Sequence, residues 1–334
     1  MIPVRLALVG AGRIASTYAQ VLAACGDLEV VGVVDIEAEA AEKLAFDLGA
    51  AALSSHRELA ELDGLEAVLI CTPPSTHSEL SMFFLESGVH VMCEKPLAVT
   101  VEEARRMLEV AEYQNLTLTM ATKFRYVSDV LKARSIVNSG ILGDIILIEN
   151  TFASRVDMSD RWNADARIAG GGVLIDNGTH SVDLTRFFLG PIAEVMAVEG
   201  KRVQGLEVED TAQVFLRSHD MIRATIDLSW SINKERQSYL EIYGSHGTVQ
   251  VGWSVSRYRQ LSSPDWVEFG NGYHKMQAIR DQMSNFARAL RGVEMLQITA
   301  IDALASVEVV EAAYNSLGKD NWVKIGSGPA SSAV

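Results

Sequence analysis

The sequence predicts a two-domain α/β chain, with a doubly wound parallel sheet first and an α+β domain with a mostly antiparallel sheet second. Three observations carry this expectation. Short apolar runs alternate with helical spacings through the first third of the chain. The first of those runs ends in a glycine-rich turn, Gly10-Ala11-Gly12-Arg13-Ile14-Ala15. From Asp144 the texture changes to β-rich segments, several alternating with period two, such as Ala212/Val214/Leu216 and Ala224/Ile226/Leu228/Trp230.

Taken in order, Val4–Val9 is short, apolar and bounded by glycine, which predicts a buried strand. Arg13 to about Ala24 has helical spacing, and Val30–Val34 is a second strand that ends on Asp35. Helical spacing in Ala38–Leu48 is followed by Glu58–Leu62, the strand Ala67–Cys71 and the turn Thr72-Pro73-Pro74. A helix over His77–Glu86 leads to the strand His90–Cys93 and then to Glu94-Lys95-Pro96. Thr100 is placed to cap a helix through Glu102–Asn115, before a strand at Leu116–Ala121. The second half offers strands at Ile145–Phe152, Val195–Glu199, Asp210–Leu216, Ile222–Trp230, Tyr239–Tyr243 and Thr248–Val251. A helix from about Val173 to Leu189 interrupts them, and helices near Met276–Leu290 and Ile301–Leu317 follow. The expected division is 1–122, 123–326 and a frayed tail over 327–334, with a ligand in the crevice between the two domains.

The opening unit has the parts that grip a dinucleotide. Gly10 permits a tight strand-to-helix turn, Gly12 lets backbone approach a pyrophosphate, and Ala15 lets helix and strand pack closely. The helix N-terminus at Arg13 and Ile14 offers N–H groups to the anion. Asp35, 20 residues after Ala15, can accept both adenosine ribose hydroxyls. Its carboxylate repels a 2′-phosphate and Ile36-Glu37 provides no arginine, so NAD is favoured over NADP. The other reading of these residues is a tight turn and a strand end.

The formal charge of −14, with no basic block to offset it, argues against nucleic acid and anionic membranes as partners. Three widely spaced cysteines, Cys25, Cys71 and Cys93, form no metal-binding pattern and suggest reduced thiols in a cytoplasmic protein. No metal is expected, and no apolar run reaches the length of a membrane span.

With the glycine fingerprint, Cys71-Thr72-Pro73-Pro74, His77, Glu94-Lys95-Pro96 and Gly170-Gly171-Gly172 through Asp176 and His180 in view, the chain resembles the Gfo/Idh/MocA family over nearly its whole length. That resemblance implies NAD(P)-dependent oxidation of sugars or cyclitols on a Rossmann domain followed by a large open sheet. It also implies a homodimer or homotetramer built through that sheet, and often a cis bond before Pro96. The Thr151-to-His180 stretch looks most like enzymes that oxidise C3 of a UDP-N-acetylhexosamine. A free cyclitol or aldose is the alternative, as is an NAD-retaining glycoside hydrolase of the same family. A non-catalytic sensor of NAD or a metabolite is a further reading.

Alcohol oxidation needs a hydride acceptor and a base. Asp176 and His180 lie four apart on a helix and share a face. Histidine exchanges protons near neutral pH, which makes His180 the candidate base and Asp176 its orienting partner or a hydroxyl ligand. The same pair is also what a half-buried histidine satisfied by an aspartate looks like. Lys95 is the candidate for stabilising alkoxide character and for touching both cofactor and substrate; the plainer reading is a solvated lysine at a strand end. Thr72, Pro73 and His77 resemble the family's loop over the cofactor, although His77 also reads as a surface helix cap. Glu94 reads either as a contact to nicotinamide ribose or carboxamide or as a structural hydrogen-bond partner. Lys123, Arg125 and Tyr126 are expected to face the ligand, with Arg125 and Asn177 as substrate contacts. Arg155 and Trp162 read as parts of a substrate loop, binding an anion and stacking on a sugar or base. Alternatively, the arginines there balance Asp157, Asp160 and Asp165 on a solvated loop.

Overall fold

Strands β1 (Val4–Val9) and β4 (Ala67–Ile70) are apolar almost throughout because both faces are covered by helices, which removes the alternation of a half-exposed strand. In the computed structural model, which describes residues 2–319 and 321–326, they lie at the centre of a six-stranded parallel sheet. Its other strands are β2 (Leu28–Val34), β3 (Ala51–Leu53), β5 (His90–Glu94) and β6 (Leu118–Ala121), in the order β3-β2-β1-β4-β5-β6. The order reverses between β1 and β4, where a doubly wound sheet opens at its carboxyl ends. Helices α1 (Arg13–Leu22), α2 (Ala38–Leu48), α3 (His56–Ala60), α4 (His77–Glu86) and α5 (Val101–Gln114) connect the strands. Helix α5 starts at a full capping box between Thr100 and Glu103 and ends on Asn115 in the left-handed region.

This first unit combines the chain up to Tyr126 with Lys275–Leu304, so it is not contiguous in sequence. The division expected at residue 122 assigns that returning stretch to the second domain. Helix α9 (Lys275–Leu290) instead buries Ile279, Met283 and Phe286 in the same core as Ala15, Tyr18 and Val21 of α1. Each large apolar side chain buried there contributes about 1.5–3 kcal/mol. Arg291 then pins the returning chain, donating from Nη1 and Nη2 to the two carboxylate oxygens of Glu66 (2.6 and 2.8 Å) and from Nη2 to the Pro3 carbonyl (3.0 Å).

The second unit combines Val127–His274 with the chain from Ala305 onward. Its nine-stranded sheet contains β7 (Ile145–Ala153), β8 (Ile192–Glu199), β9 (Thr211–Ser218), β10 (Arg223–Ser229), β11 (Ser238–Gly244), β12 (Gly247–Gly252), β13 (Ser256–Gln260), β14 (Val267–Gly270) and β15 (Val323–Lys324). The order is β14-β13-β12-β11-β7-β10-β9-β8-β15, and every pairing is antiparallel except β7 with β10. Helices α6 (Ser128–Asn138), α7 (Ala166–Ala169), α8 (Val173–Leu189) and most of α10 (Ala300–Ser316) belong to this unit. Helix α8 packs on β7, β9 and β10. Ala212, Val214 and Leu216 of β9 and Ala224, Ile226 and Leu228 of β10 are the buried side of the predicted alternation.

Strands β13 to β15 and helix α6 have no counterpart in the sequence-based expectation. Ser256–Gln260 reads Ser-Arg-Tyr-Arg-Gln, a polar strand held by its neighbours rather than by an apolar face. The expected tail over 327–334 lies outside the described residues.

Candidate active site

In the first unit, Gly10 has φ of +99°, and a Cβ there would come within 2.9 Å of the Cys71 carbonyl carbon. Its glycine is therefore dictated by the fold itself. Gly12 differs, since a Cβ there would meet nothing within 4 Å. Gly12 is the N-cap of α1, no side chain caps that end, and no acidic residue lies in its first turn. Exposed Arg13 and half-buried Ile14 open the helix. The helix start thus offers backbone N–H groups and open space to an anion. Asp35 follows β2, with Oδ2 accepting from Ala11 N (2.5 Å) and Oδ1 from Glu37 N (2.9 Å), so it is fixed beside the glycine turn. Ile36 next to it is 98% exposed. The sequence reading noted Ile36 only for not being arginine.

The Thr72–Pro73 turn is closed by Thr76, whose hydroxyl oxygen lies 2.7 Å from Thr72 Oγ1 and 2.8 Å from the Pro73 carbonyl oxygen. His77 is fully buried, which excludes the surface-cap reading. Its Nδ1 lies 2.7 Å from the Pro96 carbonyl and its Nε2 2.9 Å from the Thr72 carbonyl, so both ring nitrogens are taken up by backbone. Burial pushes its imidazole below the usual histidine value, although the two carbonyls pull the other way. The Lys95–Pro96 bond is cis.

Glu94 lies buried at the end of β5. Its Oε1 accepts from Tyr18 Oη (2.7 Å) and its Oε2 from Lys95 N (3.1 Å). Burial raises its carboxyl above the usual range, against those bonds and the nearby charges of Lys95 and Lys123. The structural half of the Glu94 reading is thus present in the fold. Arg125 has partners in the returning stretch of its own unit. It is 4% exposed, and its guanidinium donates to the Gln297 carbonyl (3.2 Å) and pairs with Asp302 (3.5 Å). That pins the returning chain to the sheet end.

In the second unit, α8 carries half-buried Asp176 and Asn177 and buried His180 in its first turns. Asp176 and His180 are one turn apart on one face. Gly178 seats the helix closely, since a Cβ would lie 3.1 Å from Leu228 of β10. The helix start has no side chain of its own to cap it, and the carboxylate of Glu209 takes that place. Burial raises the Glu209 carboxyl, and bonds from Tyr314 and from backbone amides partly offset this. Sequence reasoning missed both Glu209 and Tyr314.

The loop before α7 is ordered by remote partners. Met158 N donates to Gln204 Oε1 (3.1 Å), Gln204 Nε2 donates to the Val156 carbonyl (3.0 Å), and Arg155 N donates to Asn233 Oδ1 (2.7 Å). Arg167 pairs with Asp165 at 2.6 Å, which favours the charge-balance reading for that arginine. Arg155 is exposed and Trp162 is 45% exposed. Among the described residues, no group of three or more His, Cys, Asp or Glu is placed to hold a metal, and no helix is long and apolar enough to cross a membrane.

Comparison with known proteins joins these halves to one family. Residues 4–122 match the GFO_IDH_MocA model, described as an oxidoreductase family with an NAD-binding Rossmann fold, and residues 130–250 match the GFO/IDH/MocA C-terminal domain. The chain is 25% identical to inositol 2-dehydrogenase of Rhizobium meliloti, covering 96% of this chain and 99% of that one. It is 33% identical to D-glucoside 3-dehydrogenase of Escherichia coli over 56% of this chain and 54% of that one. The crystal structure of GenD2 from gentamicin A biosynthesis, in complex with NAD, superposes with a TM-score of 0.85 at 25% identity, covering 98% and 97% of the two chains. The first unit is thus an NAD-binding Rossmann domain.

Proposed function

This chain belongs to the Gfo/Idh/MocA family of NAD-binding oxidoreductases, and on that premise we propose that it oxidises a ring secondary alcohol of a sugar or cyclitol. The observation that carries the reading is the open, uncapped start of α1 at Gly12 in one unit together with Asp176 and His180 on one face of α8 in the other. Gly10, Gly12, Arg13, Ile14, Asp35, Thr72 and Pro73 would hold NAD, with Ile36 against its adenine. Bound NAD would supply the hydride acceptor.

His180 takes the hydroxyl proton as general base, and Asp176 orients the imidazole or binds a neighbouring hydroxyl. The Lys95 ammonium donates to the reacting oxygen and stabilises its alkoxide character, an electrostatic contribution whose removal costs about 10²–10³ in turnover. Asn177, Arg155, Trp162 and Arg125 contact the substrate, and Gln297 and Asp302 hold the Arg125 guanidinium in place.

The named relatives act on an inositol and on D-glucosides, which favours a free cyclitol, sugar or glycoside as substrate. C3 oxidation of a UDP-N-acetylhexosamine is the second reading. It is supported by half-exposed Trp162 beside Arg161, an indole and a cation of the kind that stack on a base and pair with a diphosphate. Whichever substrate it takes, we propose that the sheet of the second unit is the contact surface of a homodimer or homotetramer, as the family resemblance implies. Three buried free cysteines are in keeping with an enzyme of the cytoplasm.

The test is nicotinamide absorbance with NAD and a panel of myo-inositol, free aldoses, glucosides and UDP-N-acetylhexosamines. Turnover on free polyols or glucosides, lost in His180→Ala and Lys95→Ala, supports the first reading, and turnover on UDP-sugars alone supports the second. NAD co-purifying without net NADH production would replace both with transient oxidation during glycoside cleavage.

A further inference from the structure

We propose that Glu209 and Tyr314 act as a positioning pair that clamps the first turn of α8, and thereby sets the Asp176/His180 face. The catalytic half of this inference rests on the role given to that face above.

A helix start leaves its first N–H groups without intrahelical partners. At α8 one residue takes three in succession. Gly172 N donates to Glu209 Oε1 and Oε2 (3.0 and 3.1 Å), Leu174 N donates to Oε1 (3.0 Å), and Val173 N donates to the Glu209 carbonyl (2.9 Å). The carboxylate also faces the positive end of the helix dipole, which favours it there. Tyr314 closes the arrangement. Its hydroxyl donates to Glu209 Oε1 (2.7 Å) and lies 3.2 Å from Gly172 N.

The clamp accounts for the glycine run. A Cβ at Gly171 would lie 2.0 Å from the Tyr314 hydroxyl, and one at Gly172 would lie 2.1 Å from the Glu209 carbonyl oxygen. The space a side chain would fill is occupied by the two clamping residues. A local Ser, Thr or Asp at the N-cap would satisfy the helix start with far less. Here the partners come from 37 and 142 residues away, from the entrance to β9 and from α10. They tie the helix start to two other elements of its unit. The connection to chemistry is direct along the backbone, because the Gly172 carbonyl accepts the first helical bond from Asp176 N (3.0 Å), and His180 lies one turn beyond. Glu209 is 4% exposed and spends its oxygens on the helix, so it acts through α8 rather than on a ligand.

The experiment uses the full-length chain and the variants Tyr314→Phe, Glu209→Gln and Glu209→Ala. Amide hydrogen exchange by mass spectrometry over Gly171–Asn177 reads the clamp without turnover. Steady-state kinetics then separate kcat from KM, and a binding titration gives Kd for NAD. Exchange over that segment is expected to rise about tenfold or more in Glu209→Ala and less in Tyr314→Phe. Over the same two variants, kcat falls about tenfold and about threefold, while Kd for NAD changes less than about twofold. Glu209→Gln recovers most of the turnover, because its amide oxygen, in the place of Oε1, still accepts from Gly172 N, Leu174 N and the Tyr314 hydroxyl. Should Glu209→Ala fail to fold, Tyr314→Phe and Glu209→Gln still decide the matter. Unchanged exchange overturns the clamp, and raised exchange with unchanged kcat overturns the positioning role. Wild type inactive on every sugar tested would remove the catalytic assignment, and with it the positioning role, while the exchange measurement still judges the clamp.

Discussion

Nδ1 of His77 lies 2.7 Å from the carbonyl oxygen of Pro96, so the start of α4 is tied to the turn that carries Lys95. The second ring nitrogen reaches the Thr72 carbonyl, which joins the turn after β4 to the same imidazole. A neutral imidazole has one N–H to donate. Burial disfavours the second proton even with both carbonyls in reach.

Replacing His77 with Gln therefore keeps an N–H donor but loses the rigid ring that lies against both carbonyls, and kcat is expected to fall more than about fivefold as the Lys95 turn loosens. The pH dependence has a definite sign. A histidine whose folded pKa is depressed contributes stability above its unfolded value, about 6.5, and loses it as pH falls through the folded pKa. The stability difference between wild type and His77→Gln should shrink as pH is lowered from about 7, by chemical unfolding at several pH values. A difference that stays flat over that range would mean the imidazole is not held neutral.

Gly10 and Gly12, two residues apart, should respond oppositely to the same change. Gly10→Ala forces a Cβ against the Cys71 carbonyl in a left-handed backbone and should destabilise the fold by at least about 1–3 kcal/mol. Gly12→Ala adds a methyl to open space, so thermal unfolding of the ligand-free protein should hardly move. Its cost should appear as about tenfold weaker NAD binding, since the methyl sits where backbone must meet pyrophosphate. Equal losses of stability in the two variants would contradict this division.

Cofactor choice should turn on Asp35 and Ile36. Asp35→Asn keeps an acceptor for the Ala11 N–H while removing the charge that repels a 2′-phosphate. Combined with Ile36→Arg, which places a guanidinium on a fully exposed position, it should shift the ratio of kcat/KM for NADP over NAD by about tenfold or more. Kinetics with both cofactors check it, and an unchanged ratio would show that discrimination resides elsewhere.

These sites differ in how readable they are, and the reason is distance along the chain. The dinucleotide turn is legible because its glycines, its helix start and Asp35 serve one local unit. Helix α8 is legible for the same reason, and its observed span, Val173–Leu189, matches the predicted one. The residues that hold α8 in place are not legible, since Glu209 and Tyr314 meet Gly172 only after the chain has folded back. The partners of Arg125, Gln297 and Asp302, are equally out of reach of the sequence, since they lie more than 170 residues on. β13 is polar, and β14 and β15 are only four and two residues long, too short for a periodicity to show, so only their pairing reveals them.

The Glu66–Arg291 pair should make part of the first unit's stability depend on acid. Arg291 holds the Glu66 carboxyl below its ordinary range. A carboxyl whose folded pKa is depressed contributes stability above the unfolded value, about 4.3, and loses it as pH falls through the folded pKa. Arg291→Ala should lower the unfolding midpoint at pH 7, and its gap to wild type should narrow as pH drops below about 4. A gap independent of pH would assign the loss to Arg291's bonds with Ile2 and Pro3 carbonyls instead.

The return of Lys275–Leu304 to the first unit has a consequence for biosynthesis. A ribosome releases the six parallel strands and their five helices early, but the patch of core that Ile279, Met283 and Phe286 will cover stays bare until α9 emerges. Nearly 150 further residues, the whole nine-stranded sheet except its last short edge strand among them, must be translated in that interval. The nascent Rossmann domain therefore waits in an incomplete, sticky state while its neighbour is still being made. A chaperone that shields apolar surface has its natural window there, and a fragment ending at Tyr126 would remain in that state permanently.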